Sequence, residues 1–368
     1  MSTSGRPYVL VGTPDARRVR LFTQALARLG HPSPTCLTYE QAQHAQSWQG
    51  VLTPRTVVRV ESPGEDLSTR SAWIGRPIER GEIARPRAQF EGFAQSLQRI
   101  QAHIDASPHA WVMNRAPGIL QMFDKAHTKR AFARAGVPSP GFLGIVQGYD
   151  DLRQKMREHG TPRAFVKLSW SSSASGVVAY KTSGRHEMAT TSTFMREGAG
   201  GTRLFNSLRL QRYERPDEVR KLLDTLGAYG AVAEVWEPKA RLGGHNFDLR
   251  VVVIAGHAHH VVGRVGPSPM TNLHLGNARA DLDAIRELVG AQRWASAMAL
   301  AQRCASCFEG MTYSGADIMF ARGSLEPMAI EINAFGDLLP NVRDPQGHDT
   351  YGAQIVAVER ALGCRIDA

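Results

Sequence analysis

Two apolar runs near the C terminus, GADIMF (315–320) and AIEINAFG (329–336), are short enough to be strands, yet they carry polar groups that such strands tend to bury. Asp317 sits in the first run. Glu331 and Asn333 sit in the second, two positions apart and therefore on one face of a strand. A turn around Arg322-Gly323-Ser324 would pair the runs as a hairpin and bring the three oxygen donors together. A buried acidic pair is costly unless a cation or another partner compensates it. Hard divalent cations take oxygen ligands, and Mg²⁺ usually binds through one or two carboxylates plus phosphates. Asp317, Glu331 and Asn333 are therefore the candidate metal ligands.

The remaining pattern predicts an α/β (α+β) chain. YVLVG, RRVRLFTQALARLGH and TVVRVES read as strand, amphipathic helix and strand, the opening of a βαβ layer. QFEGFAQSLQRIQAHI is a helix, and WVMNRAPGILQMFD leads into another, KAHTKRAFARAG, closed by Gly136 and the Pro138/Pro140 pair. A unit boundary near residue 115 fits this order. RAFVKLSW and VVAYKT form a predicted hairpin joined by the polar turn SSSASG. The polar stretch 183–216 reads as a lid or an inserted hairpin whose strand-like part is TRLFNSLRLQRY. Beyond it EVRKLLDTLG is a helix, AVAEVWE and DLRVVVIAG are buried strands, and HAHHVVGRVG continues the sheet.

Composition narrows the partners. The 368 residues carry a formal charge of +10, which biases the surface toward anions such as nucleotide phosphates or acidic peptides. The excess is dispersed arginine without a basic run or interleaved aromatics, so no dedicated nucleic-acid surface is indicated. No apolar run reaches the roughly 18 to 20 residues of a membrane span. The N terminus lacks a charged start followed by an apolar core, and four cysteines do not make a disulfide framework, so a reducing, cytoplasmic setting is expected. Cys304 and Cys307 have the spacing of one helix face. In HAHH, His257 and His259 would share a strand face while His260 points away, which reads as ordinary strand-end polarity.

Cations lie upstream of the acidic hairpin. Lys167 is inside the strand AFVKLSW and must snorkel out or meet an anion. The turn that follows, with Ser173, Ser175 and Gly176, has the composition of a loop that closes over phosphates. Lys125 opens a helix at FDK. Together these groups suggest a polyphosphate gripped from both sides.

The ordered set DK (Asp124-Lys125), AGVPSPG, FVKLSWSSSASGVV, AEVWE, DLRVVV, NLHLG, GADIM and EINAFG resembles the ATP-grasp superfamily, and within it is most similar to the ribosomal-protein glutamate ligases. The resemblance covers about 114–340. It implies an N-terminal pre-ATP-grasp βαβ domain (1–114), a small lobe with the phosphate loop and the polar insertion (115–225), and a C-terminal lobe with the metal-binding hairpin (226–368), the nucleotide lying between the lobes. It implies that Lys125 and Lys167 contact the ATP phosphates under the loop 169–176, and that the backbone of Glu234, Val235 and Trp236 meets the adenine edge. Asp248 would meet the ribose. Arg250 would stabilise an acyl-phosphate and the adduct formed from it, with Asn272, Arg264 and His274 close by. The implied cofactors are ATP and two Mg²⁺ ions, with Mn²⁺ as a substitute. The implied activity is ATP-dependent carboxylate–amine ligation on an amino acid, peptide or protein carboxylate, by an enzyme whose relatives often form homo-oligomers. Phosphoryl transfer without amide formation, and a non-catalytic nucleotide-binding module that recruits an acidic partner, are the alternatives.

Overall fold

The computed structural model describes residues 5–64, 66–107, 110–171, 175–184, 186–198 and 201–363. The N-terminal part contains β1 (Tyr8–Val11), α1 (Arg17–Arg28), β2 (Thr35–Leu37), β3 (Val57–Val60), α2 (Leu67–Ile74), α3 (Pro86–Asp105) and β4 (Trp111–Val112). Its strands form a parallel sheet in the order β2-β1-β3-β4. β1 and β3 are buried along their whole length, as strands covered on both faces must be. The βαβ opening expected from the apolar pattern is present.

α4 (Ala116–Phe123) and α5 (Lys125–Arg134) lead into the second sheet. Asp124 caps α5, its Oδ1 accepting the His127 N–H at 3.0 Å, which places Lys125 at the first helical position. The sheet is built from β5 (Phe142–Val146), β6 (Arg163–Leu168), β7 (Val177–Ser183), β8 (His186–Gly198), β9 (Gly201–Tyr213) and β10 (Ala231–Val235), with α6 (Tyr149–Glu158) and α7 (Pro216–Ala228) between strands. The order is β5-β10-β6-β7-β8-β9, antiparallel throughout.

The stretch 183–216 is a long hairpin, β8 with β9, and it docks on the N-terminal part. Ile83 N–H donates to the Leu204 carbonyl at 2.8 Å, and Asn206 N–H to the Gly81 carbonyl at 2.8 Å. Glu82 takes Arg76 at 2.7 Å and Arg203 at 3.0 Å. Only half of the hairpin reads as a strand in sequence, because exposed strands carry polar residues on their outer face.

The third sheet contains β11 (Arg241–Leu242), β12 (His245–Ile254), β13 (His257–Gly266), β14 (Ala278–Ala280), β15 (Tyr313–Phe320) and β16 (Pro327–Asn333), in the order β14-β13-β12-β15-β16 with β11 on β12. α8 (Leu282–Val289) and α9 (Ala291–Ser306) cover one face, burying Phe247, Ile318, Phe320 and Ile332 with Ala297, Leu300 and Cys304. Cys304 is thus a core residue on α9, and burial pushes its thiol up. On the other face α10 (Thr350–Ala361) packs with α1 of the N-terminal part. No helix among the described residues is long and apolar enough to cross a membrane.

Asp337 ties the N-terminal part to this sheet. Its carboxylate, fully buried, is bound by Arg59 at 2.7 Å, Arg18 at 2.6 Å and Gln354 at 3.0 Å. Burial opposes its charge, yet Arg59 and Arg18 hold the carboxyl well below the usual range. Asp337 is a clamp between the two parts.

Candidate functional site

A cleft of about 550 Å³ opens between the second and third sheets, with Arg17, Arg18, Ser62 and Gly64 of the N-terminal part at its rim. One wall carries Lys125 from the start of α5 and Lys167 from β6 of the second sheet; the wall from the third sheet carries Arg250, Arg264, Asp317, Glu331 and Asn333. Pro140, Phe165, Met319 and Ile330 add an apolar surface suited to a flat ring.

The acidic corner is set by register. Asp317 on β15 lies directly opposite Glu331 on β16, and Gly315 opposite Asn333. The pairing then jumps from Asp317↔Glu331 to Ile318↔Ala329, so Ile330 is an extra residue, a bulge of the kind that re-aims side chains beside functional sites. Asp317 is held by Arg250, with Nε 2.5 Å from Oδ1 and Nη2 3.1 Å from Oδ2, and by Arg264 at 3.3 Å. Burial works against its charge, but Arg250 and Arg264 keep the carboxyl below its usual range. Asn333 Nδ2 is buried with no hydrogen-bond partner among the described residues. The two carboxylates and the amide oxygen of Asn333 are the oxygen donor set expected for Mg²⁺, while the unmatched Nδ2 is a donor suited to a phosphate oxygen.

The chain leaves this corner through Gly336, which lies against Gly315 and Arg250. A Cβ on Gly336 would stand 2.6 Å from the Gly315 Cα and 3.0 Å from Arg250 Nη1. Arg250 Nη1 also donates to the Gly336 carbonyl at 3.1 Å. The strand break in AIEINAFG is therefore a close backbone crossing that seats the arginine.

Lys125 Nζ donates to the Ser171 carbonyl at 2.5 Å. Burial lowers its affinity for the proton despite the pull of Glu331. Lys167 is ion-paired to Glu234; burial opposes its charge, but Glu234 and Glu331 raise it above its ordinary value. Glu234 is bound on its other oxygen by Lys129 at 2.6 Å. Lys129 was not among the sequence candidates. It stands four residues after Lys125 on α5, a spacing that puts both amines on one helix face.

At the hinge part of the backbone is committed to the sheet. The Val235 N–H donates to the Gly141 carbonyl at 2.7 Å and the Trp236 N–H to the Arg163 carbonyl at 3.2 Å, because β10 ends between β5 and β6. These two donors are committed to the sheet, and the Trp236 ring packs on Phe165 instead of lining the cleft. What this segment presents is side chains: Glu234, Val235 and Glu237 line the wall. Asp248 lines the cleft but is heavily paired. It is 1% exposed and enclosed by Lys239 at 2.5 Å, Arg264 at 2.7 Å and the Thr271 hydroxyl. Burial opposes its ionisation, but Arg264 and Lys239 drive its carboxyl well below the usual range. Its oxygens hold those cations, and Glu237 lines the same wall. Lys239 lies three residues past Trp236, and its partner Asp248 is across a strand, so no local pattern reveals the pair.

Asn272 and His274 line the cleft on the loop after β13. Ser175 and Gly176 close the β6–β7 turn; Gly176 has φ +64 and a Cβ there would lie 2.3 Å from Leu168 Cδ1, so the turn requires glycine. Ser173 lies outside the described residues. Around the cleft the cations outnumber the acids, an electrostatic setting for a polyanion.

Neither a scan of protein-family models nor a search of curated proteins gave a match. Solved structures do match. The chain is similar to the ADP complex of PurK, N5-carboxyaminoimidazole ribonucleotide synthetase, at 14% identity and TM-score 0.60, covering 96% of this chain and 77% of that one. It is similar to D-alanine–D-alanine ligase from Bacillus anthracis complexed with ATP, at 12% identity and TM-score 0.55, covering 98% of each chain. It is also similar to the ATP-grasp ligase PsnB complexed with a phosphomimetic variant of its minimal precursor, Mg and ADP, at 14% identity and TM-score 0.52, covering 98% of this chain and 100% of that one. This chain has the ATP-grasp fold.

Proposed function

We propose that the cleft couples cleavage of ATP to joining a carboxylate and an amine. The observation that carries this reading is the convergence of Lys125 at the start of α5 and Lys167 on β6 with Arg250, Arg264, Asp317, Glu331 and Asn333 of the third sheet on a single cleft. A carboxylate is a poor electrophile. Its oxygen attacks the γ-phosphorus, ADP leaves, and an acyl-phosphate forms; an amine then attacks the carbonyl, phosphate leaves, and loss of a proton gives the amide.

Phosphoryl transfer depends on positioning and charge neutralisation more than on covalent help from the protein. Lys125 and Lys167 neutralise phosphate oxygens, and Glu234 with Lys129 orients Lys167. Asp317, Glu331 and Asn333 would hold Mg²⁺, which when bound neutralises phosphate charge. Arg250 moves its hydrogen bonds from Asp317 toward the acyl-phosphate and the oxyanion that the amine attack creates. Glu237 receives the ribose. The apolar patch of Phe165, Met319 and Ile330 takes the adenine.

Peptide or amino-acid acids are the favoured carboxylate class. PsnB, which shares the fold, is complexed with a precursor variant, and Arg17 stands exposed at the rim here, where it can meet an acidic group. A screen of carboxylate and amine pairs for ADP release tests the reading. Ligation predicts an amide product and ADP that both require the amine. A stable phosphorylated product would indicate a phosphotransferase, and ATP binding with no turnover across the screen would indicate a binding module.

A further inference from the structure

Away from the cleft, the HAHH segment does not alternate as a regular strand would. Val252 on β12 faces His260, while Val253 faces Ala258, so His259 is an inserted residue in a β-bulge. The bulge turns His259 onto the same side as His260, and the two rings stack at 5.0 Å with a 26° interplanar angle. The expectation that His260 points away from its neighbours is overturned by this one inserted residue.

Asp344 and His348, on the segment between β16 and α10, complete the cluster. His260 is 1% exposed, and its Nε2 is 3.0 Å from the His348 carbonyl. A carbonyl only accepts, so Nε2 carries the proton and Nδ1 keeps its lone pair. That Nδ1 is buried without a hydrogen-bond partner among the described residues, and so is Nδ1 of His259. Leaving a buried polar atom unmatched is costly, so each of these nitrogens favours a ligand. Asp344 Oδ2 is 3.7 Å from His259 Nδ1 and 3.4 Å from His348 Nδ1, while Asp344 Oδ1 is fixed by the His348 N–H at 2.8 Å. One ligand atom from each of His259, His260 and Asp344 falls within 4.8 Å of the others.

We propose that His259, His260 and Asp344, with His348 positioning Asp344, form a site for a transition-metal ion of the Zn²⁺ class. Zn–N and Zn–O bonds of about 2.0–2.2 Å put neighbouring ligand atoms of a tetrahedral ion about 3.3–3.6 Å apart. The His259–Asp344 separation of 3.7 Å lies just beyond that spacing. The backbone carbonyl on His260 is the outer contact that commonly fixes a ligating imidazole. Nitrogen-rich ligation selects against Mg²⁺, so this site and the acidic corner of the cleft draw on different ions. None of the four residues lines the cleft, but the segment that carries Asp344 and His348 begins with Leu338 and Leu339, which do. The ion would clip this segment to β13 and hold the cleft wall in register.

The test uses the full chain stripped with a chelator and titrated with Co²⁺, then with Zn²⁺ as competitor. One equivalent of Co²⁺ with the intense visible absorption of a tetrahedral nitrogen and oxygen site, displaced by Zn²⁺, is the expected result. His259→Asn and His348→Asn, at positions about one-third exposed (30% and 31% of the side chain), should fold and should each weaken Zn²⁺ binding at least tenfold. The rise in Tm on adding Zn²⁺ should vanish with them, while Asp317→Asn keeps it. Absence of stoichiometric Co²⁺ and Zn²⁺ binding, or binding unchanged in both histidine variants, would overturn the site.

Discussion

Arg250 grips Asp317 through two hydrogen bonds, Nε to Oδ1 at 2.5 Å and Nη2 to Oδ2 at 3.1 Å. The two residues face each other across paired strands β12 and β15, in direct register. An arginine therefore occupies a carboxylate that the proposed function assigns to Mg²⁺, and the guanidinium would be free for substrate once that carboxylate held the ion.

Arg250→Ala should lower amine-dependent ADP release by roughly a hundred- to a thousandfold, the usual effect of removing an oxyanion donor. ATP affinity, measured by calorimetry, should change far less, because Lys125 and Lys167 remain. Equal loss of affinity and turnover would assign Arg250 to nucleotide binding alone.

Glu234 is the shared counter-charge of Lys129 and Lys167. Glu234→Gln leaves both amines buried without it, and breaking such a pair costs about 3–5 kcal/mol. Urea unfolding should show a loss of that order, and ATP affinity should fall with it as Lys167 loses its orientation. A variant as stable as the parent would mean that the lysines find water or another anion.

Stability should depend on pH through Glu82. Burial alone would push its carboxyl up, but hydrogen bonds from Arg76, the Glu79 N–H and Arg203 hold it at about 2, against 4.5 for an ordinary glutamate. A depressed carboxylate stabilises the fold above its unfolded value, and this contribution is lost as pH falls through the folded value. The Tm advantage of the parent over Glu82→Gln should be widest above pH 4.5 and shrink toward pH 2. Parallel curves for the two proteins would refute the linkage.

Gly336→Ala places a methyl against the Gly315 backbone and Arg250. Overpacking of this kind costs about 1–3 kcal/mol, and displacement of Arg250 should reduce ADP release beyond the loss of folded protein. Gly198→Ala, where the nearest atom is 3.9 Å from the new Cβ, is the control expected to leave both unchanged.

Local periodicity is written in the chain, and whatever depends on it was legible. The βαβ opening, the β6–β7 and β15–β16 hairpins, the helix opened by Lys125 and the shared face of Glu331 and Asn333 all follow from spacings of two or about four residues. Two residues apart on a strand is a local fact. That Asp317 meets Glu331, that Arg250 meets Asp317, and that Asp248 is enclosed by Lys239 and Arg264 are facts of register between strands distant in sequence. Register is set by packing of whole sheets and by single inserted residues such as Ile330 and His259. An insertion of one residue costs little locally and leaves no periodic mark, yet it decides which side chains share a face. The charged residue types that meet in the cleft were therefore set by the sequence alone; only the tertiary structure decided which of them are spent on one another, because the partner of a buried charge is chosen where strands meet.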